Sequence, residues 1–215
     1  LADGRVAEVG GGRGDLAELS AAVTAVASGC AAELAARHPA VLAKRWPGYG
    51  LDRALRRPGD LAAIVAGSEG TLALVTSAVL RVVPRPRSRP LAVVCFASVE
   101  EAMAATVELL DLEPAAIEHI DRLLFDQTRG QLAFRAARDL LGLDERPCEA
   151  ILLVELFDDD GARADEVAHR RLGLRTLLCR DPREQELVWE VRRAGLSLLT
   201  GRPGPAKPAT CVEDV

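Results

Sequence analysis

Aromatic residues make up only 3% of this 215-residue sequence, so stacking platforms for nucleobases are nearly absent. Positive charge is not in excess either. The formal net charge is −5 at neutral pH, which argues against a nucleic-acid footprint. The arginines are interleaved with acids, as from Glu184 to Arg193, a pattern of solvated helix faces rather than of a basic patch. No apolar run approaches the roughly 18–20 residues needed to span a bilayer, and no signal-peptide pattern opens the sequence. The five cysteines (Cys30, Cys95, Cys148, Cys179 and Cys211) are far apart, with no CxxC. An odd, scattered set fits free thiols in a reducing, cytoplasmic setting, not a disulfide framework or a zinc site. His38, His119 and His169 are not at metal-ligand spacing; no metal site and no catalytic residue is assigned.

What is present is aliphatic. Hydrophobic residues reach 49%, ample for a core built from Ala, Leu and Val. The turn signal Ala2-Asp3-Gly4-Arg5 predicts a small hairpin over residues 1–14. Asp15 as an N-cap, followed by Leu16, Leu19, Val23, Val26, Cys30 and Leu34 at helical spacing, predicts one long helix ending near His38-Pro39. Pro47, Gly48 and Gly50 break the chain around Tyr49, and a short helix is expected over 60–65. Thr71 to Val83, rich in Val, Leu and Thr, predicts a strand. Pro84-Arg85-Pro86-Arg87-Ser88-Arg89-Pro90 is a stiff extended connector, and the domain boundary is set there, dividing residues 1–88 from 89–215.

Beyond it, strands are expected at 91–96, 151–157 and 174–179. Helices are expected at 98–110, 117–125, 131–141, 161–172 and 184–199, the first opened by the capping box Ser98-x-x-Glu101. This alternation around an antiparallel sheet defines an α+β architecture. Taken alone, it also fits a non-catalytic, ferredoxin-like ligand-binding or interaction module. Leu1 is not a start methionine, and the sequence ends at Val215 without a cap or polar tail; an internal fragment is expected.

Gly67-Ser68-Glu69-Gly70-Thr71-Leu72-Ala73 is the most informative stretch. Two glycines three apart permit positive φ and close approach of a ligand to the backbone, and successive N–H groups can cradle an anion. A plain tight turn has the same residues. Neither a Walker A loop nor a Rossmann fingerprint is present.

This loop, the β-rich run behind it and Arg81-Val82-Val83-Pro84-Arg85-Pro86 resemble the signature of the FAD-linked oxidases, the vanillyl-alcohol-oxidase-like (PCMH-type) flavoenzymes. Gly48-Tyr49-Gly50-Leu51-Asp52 resembles the family's preceding tyrosine element. The resemblance implies that 1–88 is the second lobe of a PCMH-type FAD-binding domain and that 89–215 is an antiparallel-sheet cap, or substrate, domain. It implies FAD as cofactor, held in part by Gly67, Ser68, Glu69, Gly70, Thr71, Leu72 and Ala73. Ala73 departs from the family's usual glycine, and Arg45-Trp46-Pro47 stands where Asn with Thr or Ser is common.

Toward the C-terminus, Trp189-Glu190-Val191-Arg192, Lys207-Pro208 and Glu213-Asp214-Val215 resemble the substrate passage of the family's 2-hydroxy-acid dehydrogenases. There the resemblance implies that Arg192 and Lys207 clamp the substrate carboxylate, as a guanidinium fork pairs with a carboxylate. Leu196 replaces the family's hydroxyl one turn on, and Glu118 with Asp121 matches an acidic element read as structural. The implied partners are a small 2-hydroxy acid and an unidentified electron acceptor. The resemblance further implies that the family's catalytic histidines and metal ligands fall beyond Val215 and that the first half of its FAD domain precedes Leu1, so the chain alone is expected to bind FAD weakly or not at all and to be inactive. An FAD oxidase of phenols or alcohols would share the loop without needing the clamp.

Overall fold

The computed structural model describes residues 4, 6–10, 16–37, 48–157, 160–201 and 204–205. The chain divides into two compact units between Val82 and Val83.

The described part of the first unit is helical: α1 (Ala17–Gly29), α2 (Ala31–Arg37), α3 (Leu51–Arg56) and α4 (Leu61–Ala66). The expected single long helix is two, bent by 65° between Gly29 and Ala31. Glycine ends α1 where backbone freedom is greatest, and the Cys30 N–H turns back onto the Ala27 and Ser28 carbonyls. Asp15 lies outside the described residues, and no side chain caps α1 at Leu16. By contrast, Asp60 caps α4, its carboxylate accepting from Ala63 N at 3.2 Å. α3 was not foreseen from the sequence, although Leu51, Ala54 and Leu55 have helical spacing. Asp52 and Arg56 add an i,i+4 ion pair. A small core of Ala27, Ala54 and Ile64, flanked by Val23, Leu51 and Leu55, joins α1, α3 and α4. No single helix among the described residues is long and apolar enough to cross a membrane; only the bent pair α1–α2 reaches that length and composition together.

Of the two strand expectations here, one is largely outside the described residues and one fails. Residues 6–10 of the expected hairpin form no strand, and the rest of it lies largely outside the described residues. Residues 71–83 are not a strand either. No strand among the described residues pairs with them, and Leu74, Val79, Leu80, Val82 and Val83 are exposed. A β-propensity is realised only against a partner strand.

The second unit is built on four strands, β1 (Leu91–Phe96), β2 (Ala116–Asp121), β3 (Ala150–Glu155) and β4 (Arg175–Cys179). They form one sheet in the order β2-β3-β1-β4, and every adjacent pair is antiparallel. The helices are α5 (Val99–Glu108), α6 (Arg122–Asp126), α7 (Arg135–Leu141), α8 (Ala162–His169), α9 (Pro182–Arg193) and α10 (Gly195–Thr200). The two central strands, Leu-Ala-Val-Val-Cys-Phe and Ala-Ile-Leu-Leu-Val-Glu, are apolar almost throughout because both faces are covered. Alternation then sorts the core. Val93, Cys95, Ile120, Ile151 and Leu153 meet α6, α7 and α9. Ala92, Val94, Phe96, Leu152 and Val154 meet α5 and α8.

Ser98 caps α5 as foreseen, accepting from Glu101 N at 3.1 Å. The Glu101 carboxylate returns to Ala97 N, one residue before the cap. Two further expectations are corrected. Residues 117–125 are not a single helix: 116–121 form the edge strand β2, and only 122–126 are helical. Ile117 and Ile120 serve opposite faces of the sheet, and pairing with β3 outweighs local helix propensity. The helix foreseen over 184–199 is interrupted at Ala194 between α9 and α10.

Candidate functional site

In the first unit the glycine loop follows directly from α4. A Cβ on Gly67 would stand 2.1 Å from the carbonyl oxygen of Gly48, so only glycine fits there. Glu69 and Gly70 both have positive φ, 50° and 77°. A Cβ on Gly70 would meet nothing within 4 Å, so the turn faces open space.

The two hydroxyls are committed inside the loop. Ser68 is buried and donates to the Val65 carbonyl at 2.8 Å. Thr71 donates its proton to the Ser68 carbonyl at 2.6 Å. Its oxygen is then left to accept from the Tyr49 hydroxyl at 2.8 Å. The N–H groups of Ser68 and Thr71 are also used, by the Val65 and Ser68 carbonyls. Those of Glu69 and Gly70 have no acceptor among the described residues. What the loop offers outward is therefore backbone N–H from a left-handed turn, the geometry of an anion nest. Tyr49 and Gly48 thus lie directly on Gly67 and Thr71, bringing together two motifs separated in sequence. Beside them Ala22, Val23, Val26, Tyr49, Leu51, Ile64 and Leu72 line an apolar recess of about 230 Å³.

In the second unit Arg192 projects from the last turn of α9 toward the edge strand β2. Its Nε donates to Glu118 Oε2 at 2.9 Å, and both side chains remain partly exposed, 41% and 37%. Arg193 turns elsewhere, onto Glu186 of its own helix, as the 100° step between neighbours requires. Asp121 caps α6 through Leu124 N at 2.9 Å. The acidic element thus divides into a partner for Arg192 and a helix cap. The glycine loop and Arg192 belong to different units; Lys207, Arg45, Trp46, Pro47 and His38 lie outside the described residues. The Nε2 atom of His119 is buried and has no hydrogen-bond partner among the described residues. Among the described residues no group of three or more His, Cys, Asp or Glu side chains converges.

A second recess, of about 490 Å³, is walled by the connector from Arg85 to Pro90 and by Asp160, Gly161, Arg180, Pro182 and Gln185. Sequence reasoning did not anticipate it. Arg180 there is already paired with Asp165.

An anion nest on one unit and a partnered arginine on a sheet-based second unit fit a flavoprotein with a cap domain. Residues 85–215 match the family described as FAD linked oxidases, C-terminal domain, and the chain is a member of it. The cofactor is FAD. The loop fits its anionic phosphates, with two N–H groups that have no acceptor among the described residues and room above Gly70.

Among the chain's relatives is a D-2-hydroxyglutarate dehydrogenase of Pantoea ananatis, 24% identical over 169 residues, covering 72% of this chain and 16% of that protein. The glycolate oxidase subunit GlcD of Bacillus subtilis is 24% identical over 161 residues, 72% of this chain and 32% of its own length. An uncharacterised FAD-linked oxidoreductase of Mycobacterium tuberculosis is 35% identical over 103 residues, 45% of this chain and 21% of that protein. The chain thus spans between about a sixth and a third of the length of these relatives.

Proposed function

We propose that this chain provides part of the cofactor lobe and the substrate-side domain of an FAD-dependent dehydrogenase that oxidises a 2-hydroxy acid. In this reading 1–88 is the second lobe of the FAD domain and 89–215 the cap. The observation that carries it is the Arg192–Glu118 pair. Engaging the guanidinium through Nε fixes its plane and leaves the two terminal nitrogens to meet a carboxylate as a fork. Lys207 is the proposed second cation. Two of the named relatives act, by their names, on 2-hydroxyglutarate and glycolate, and both substrates carry a carboxylate beside the hydroxyl.

The chain's own residues bind and orient. The Glu69 and Gly70 N–H groups would hold phosphate oxygens of FAD, with Gly67 keeping the loop against Gly48 and Tyr49 bracing it through Thr71. Arg192 would hold the acid, and charge-assisted contacts of this kind contribute roughly 1.5–3 kcal/mol each. Bound FAD supplies the two-electron acceptor chemistry. No residue of this chain is assigned as the proton acceptor. The scattered thiols support a cytoplasmic setting, which is part of the proposal.

The test is the visible spectrum of a longer protein carrying this chain, before and after anaerobic addition of D-lactate, glycolate or D-2-hydroxyglutarate. Bleaching of the flavin bands by one acid is the expected result and names the substrate. Flavin bands indifferent to all three acids would move the substrate toward phenols or other alcohols. A folded protein without flavin would leave the β2-β3-β1-β4 sheet, which has the strand order of a ferredoxin-like domain, as a binding module. In the same protein Arg192→Met is expected to raise the KM for the acid by roughly 10- to 100-fold, the loss of one charged hydrogen-bonding group.

A further inference from the structure

The recess of about 490 Å³ in the sheet unit is built from two walls. One is the connector, stiffened by Pro84, Pro86 and Pro90. The chain bends at Arg87, and Pro90 is buried. The Pro90 carbonyl accepts from Leu156 N at 3.1 Å, which ties the end of the connector to the end of β3. The other wall is Asp160 and Gly161 at the start of α8, with Arg180, Pro182 and Gln185 where β4 gives way to α9. None of these residues belongs to the glycine loop or to the Arg192–Glu118 pair.

Arg180 is held in place before any ligand arrives. Gly161 has φ 114°, and a Cβ there would stand 2.3 Å from Arg180 Nη1. The bare glycine lets the guanidinium lie across the start of α8 and reach Asp165, Nη2 to Oδ1, at 2.5 Å. That ion pair fixes the guanidinium plane and leaves Nε and Nη1 without a hydrogen-bond partner among the described residues. Gln185 braces the same turn, its amide donating to the Cys179 carbonyl at 3.0 Å. On the connector, Arg85 and Arg89 are exposed and make no hydrogen bond or ion pair among the described residues, and Arg87 joins the wall between them. Four arginines thus line the recess against one carboxylate, that of Asp160, which already accepts from Ala162 N at 3.1 Å. In a chain of net charge −5 this is a concave patch of the opposite sign, and a cleft focuses such a field.

We propose that this recess binds a small organic anion carrying two phosphate groups. Each phosphate carries roughly −1.5 to −2 charge near neutral pH, so two of them balance the excess of guanidinium charge, which a single carboxylate does not. A guanidinium fork takes two phosphate oxygens at once. Arg180 is the anchor, because Asp165 has already set its plane. Arg85 and Arg89 meet the ligand from the connector. The recess falls in the size range of small-ligand clefts, roughly 300–1,000 Å³, and Pro86 and Pro182 offer apolar faces to the ligand's carbon skeleton. The site lies within the sheet unit, so it stands independently of the roles proposed for Arg192 and for the glycine loop.

The test follows the backbone amide resonances of the 215-residue chain as inorganic pyrophosphate is added, with citrate as the carboxylate comparison. Salt is kept at about 0.15 M, which screens loose surface attraction. Saturating shifts at Ser88, Arg89, Gly161 and Arg180 are expected with pyrophosphate, and clearly weaker binding with citrate. Replacing both Arg85→Gln and Arg89→Gln should weaken pyrophosphate binding by roughly 10-fold or more, and Arg180→Gln should do the same. Shifts confined to Ser68 to Thr71 would assign the anion to the glycine loop and overturn the proposal. Citrate binding as tightly as pyrophosphate, or shifts that never saturate, would overturn it too. The wild-type map decides even if Arg180→Gln, which leaves Asp165 unpaired, folds poorly.

Discussion

Gly67 and Gly70 are the same residue in the same loop for different reasons. At Gly67 the constraint is space, since a methyl group would run into a backbone oxygen that cannot rotate away. At Gly70 the constraint is only the positive φ, with open space around it. Gly67→Ala should therefore cost roughly 3 kcal/mol, the upper end for overpacking, and break the Tyr49–Thr71 contact. Gly70→Ala should cost only about 1 kcal/mol of backbone strain. Denaturant unfolding of the two variants checks the order; equal costs would mean that the Gly48–Gly67 approach relaxes freely. The motif told the sequence reader that glycine was wanted at both positions. The hydroxyls of Ser68 and Thr71 are both used internally, because residues three apart in a tight turn meet each other's carbonyls.

At the scale of elements, Arg138 ties α7 to the end of α6. It is buried at 3% exposure and donates to the Phe125 carbonyl at 2.7 Å and to the Thr128 hydroxyl at 2.9 Å. Its other nitrogens grip Asp144 in the following turn. Arg138→Met keeps the stem volume and loses the donors, and should destabilise by about 1–3 kcal/mol. Arg138→Ala should cost more, by the cavity it leaves.

The same contact sets an acid limit. The hydrogen bond from Arg138, joined by the charges of Arg138 and Arg129, holds the Asp144 carboxyl below its ordinary value. Arg170 does the same for Asp111. A carboxyl whose pKa is lower folded than unfolded stabilises the fold above the unfolded value, near pH 4, and that stability is lost as pH falls through the folded value. Thermal stability should drop below about pH 4, and Asp144→Asn should be less stable at neutral pH with a flatter acid limb. A variant with an unchanged acid limb would remove Asp144 from this role. None of this was visible in the sequence, where Arg138 is one arginine among several on a short helix.

At the scale of the whole molecule the two units differ in what holds them. The second has a sheet covered on both faces by its own helices, with two extended cores. The first has, among its described residues, six buried apolar side chains, Leu16, Ala27, Ala54, Leu61, Ala63 and Ile64, of which only Ala27, Ala54 and Ile64 cluster as a core. A piece spanning 83–209 is expected to unfold cooperatively by itself, whereas 1–82 alone should show little protection in hydrogen exchange, since a core that small cannot offset chain entropy. Strong protection in α1 and α3 of the isolated first piece would refute this. The exposed apolar residues of 71–83 belong to the same picture, as a segment with strand composition and no strand beside it among the described residues.

Strands and helices whose patterns are self-sufficient are legible from the amino-acid order. The continuous apolar runs of β1 and β3, the Ser98 cap, the short helix after Asp60 and the glycine loop are read from local chemistry, as is the family to which the loop and its flanks point. Tertiary structure alone decided the rest. Residues 116–121 become a strand because β3 presents an edge to them; 71–83 do not, and no strand edge lies beside them among the described residues. Arg192 acquires Glu118, 74 positions away, because the antiparallel sheet brings distant segments side by side. Periodicity and capping act within a few residues of the chain, whereas strand pairing and side-chain partners depend on which segments the sheet order makes neighbours.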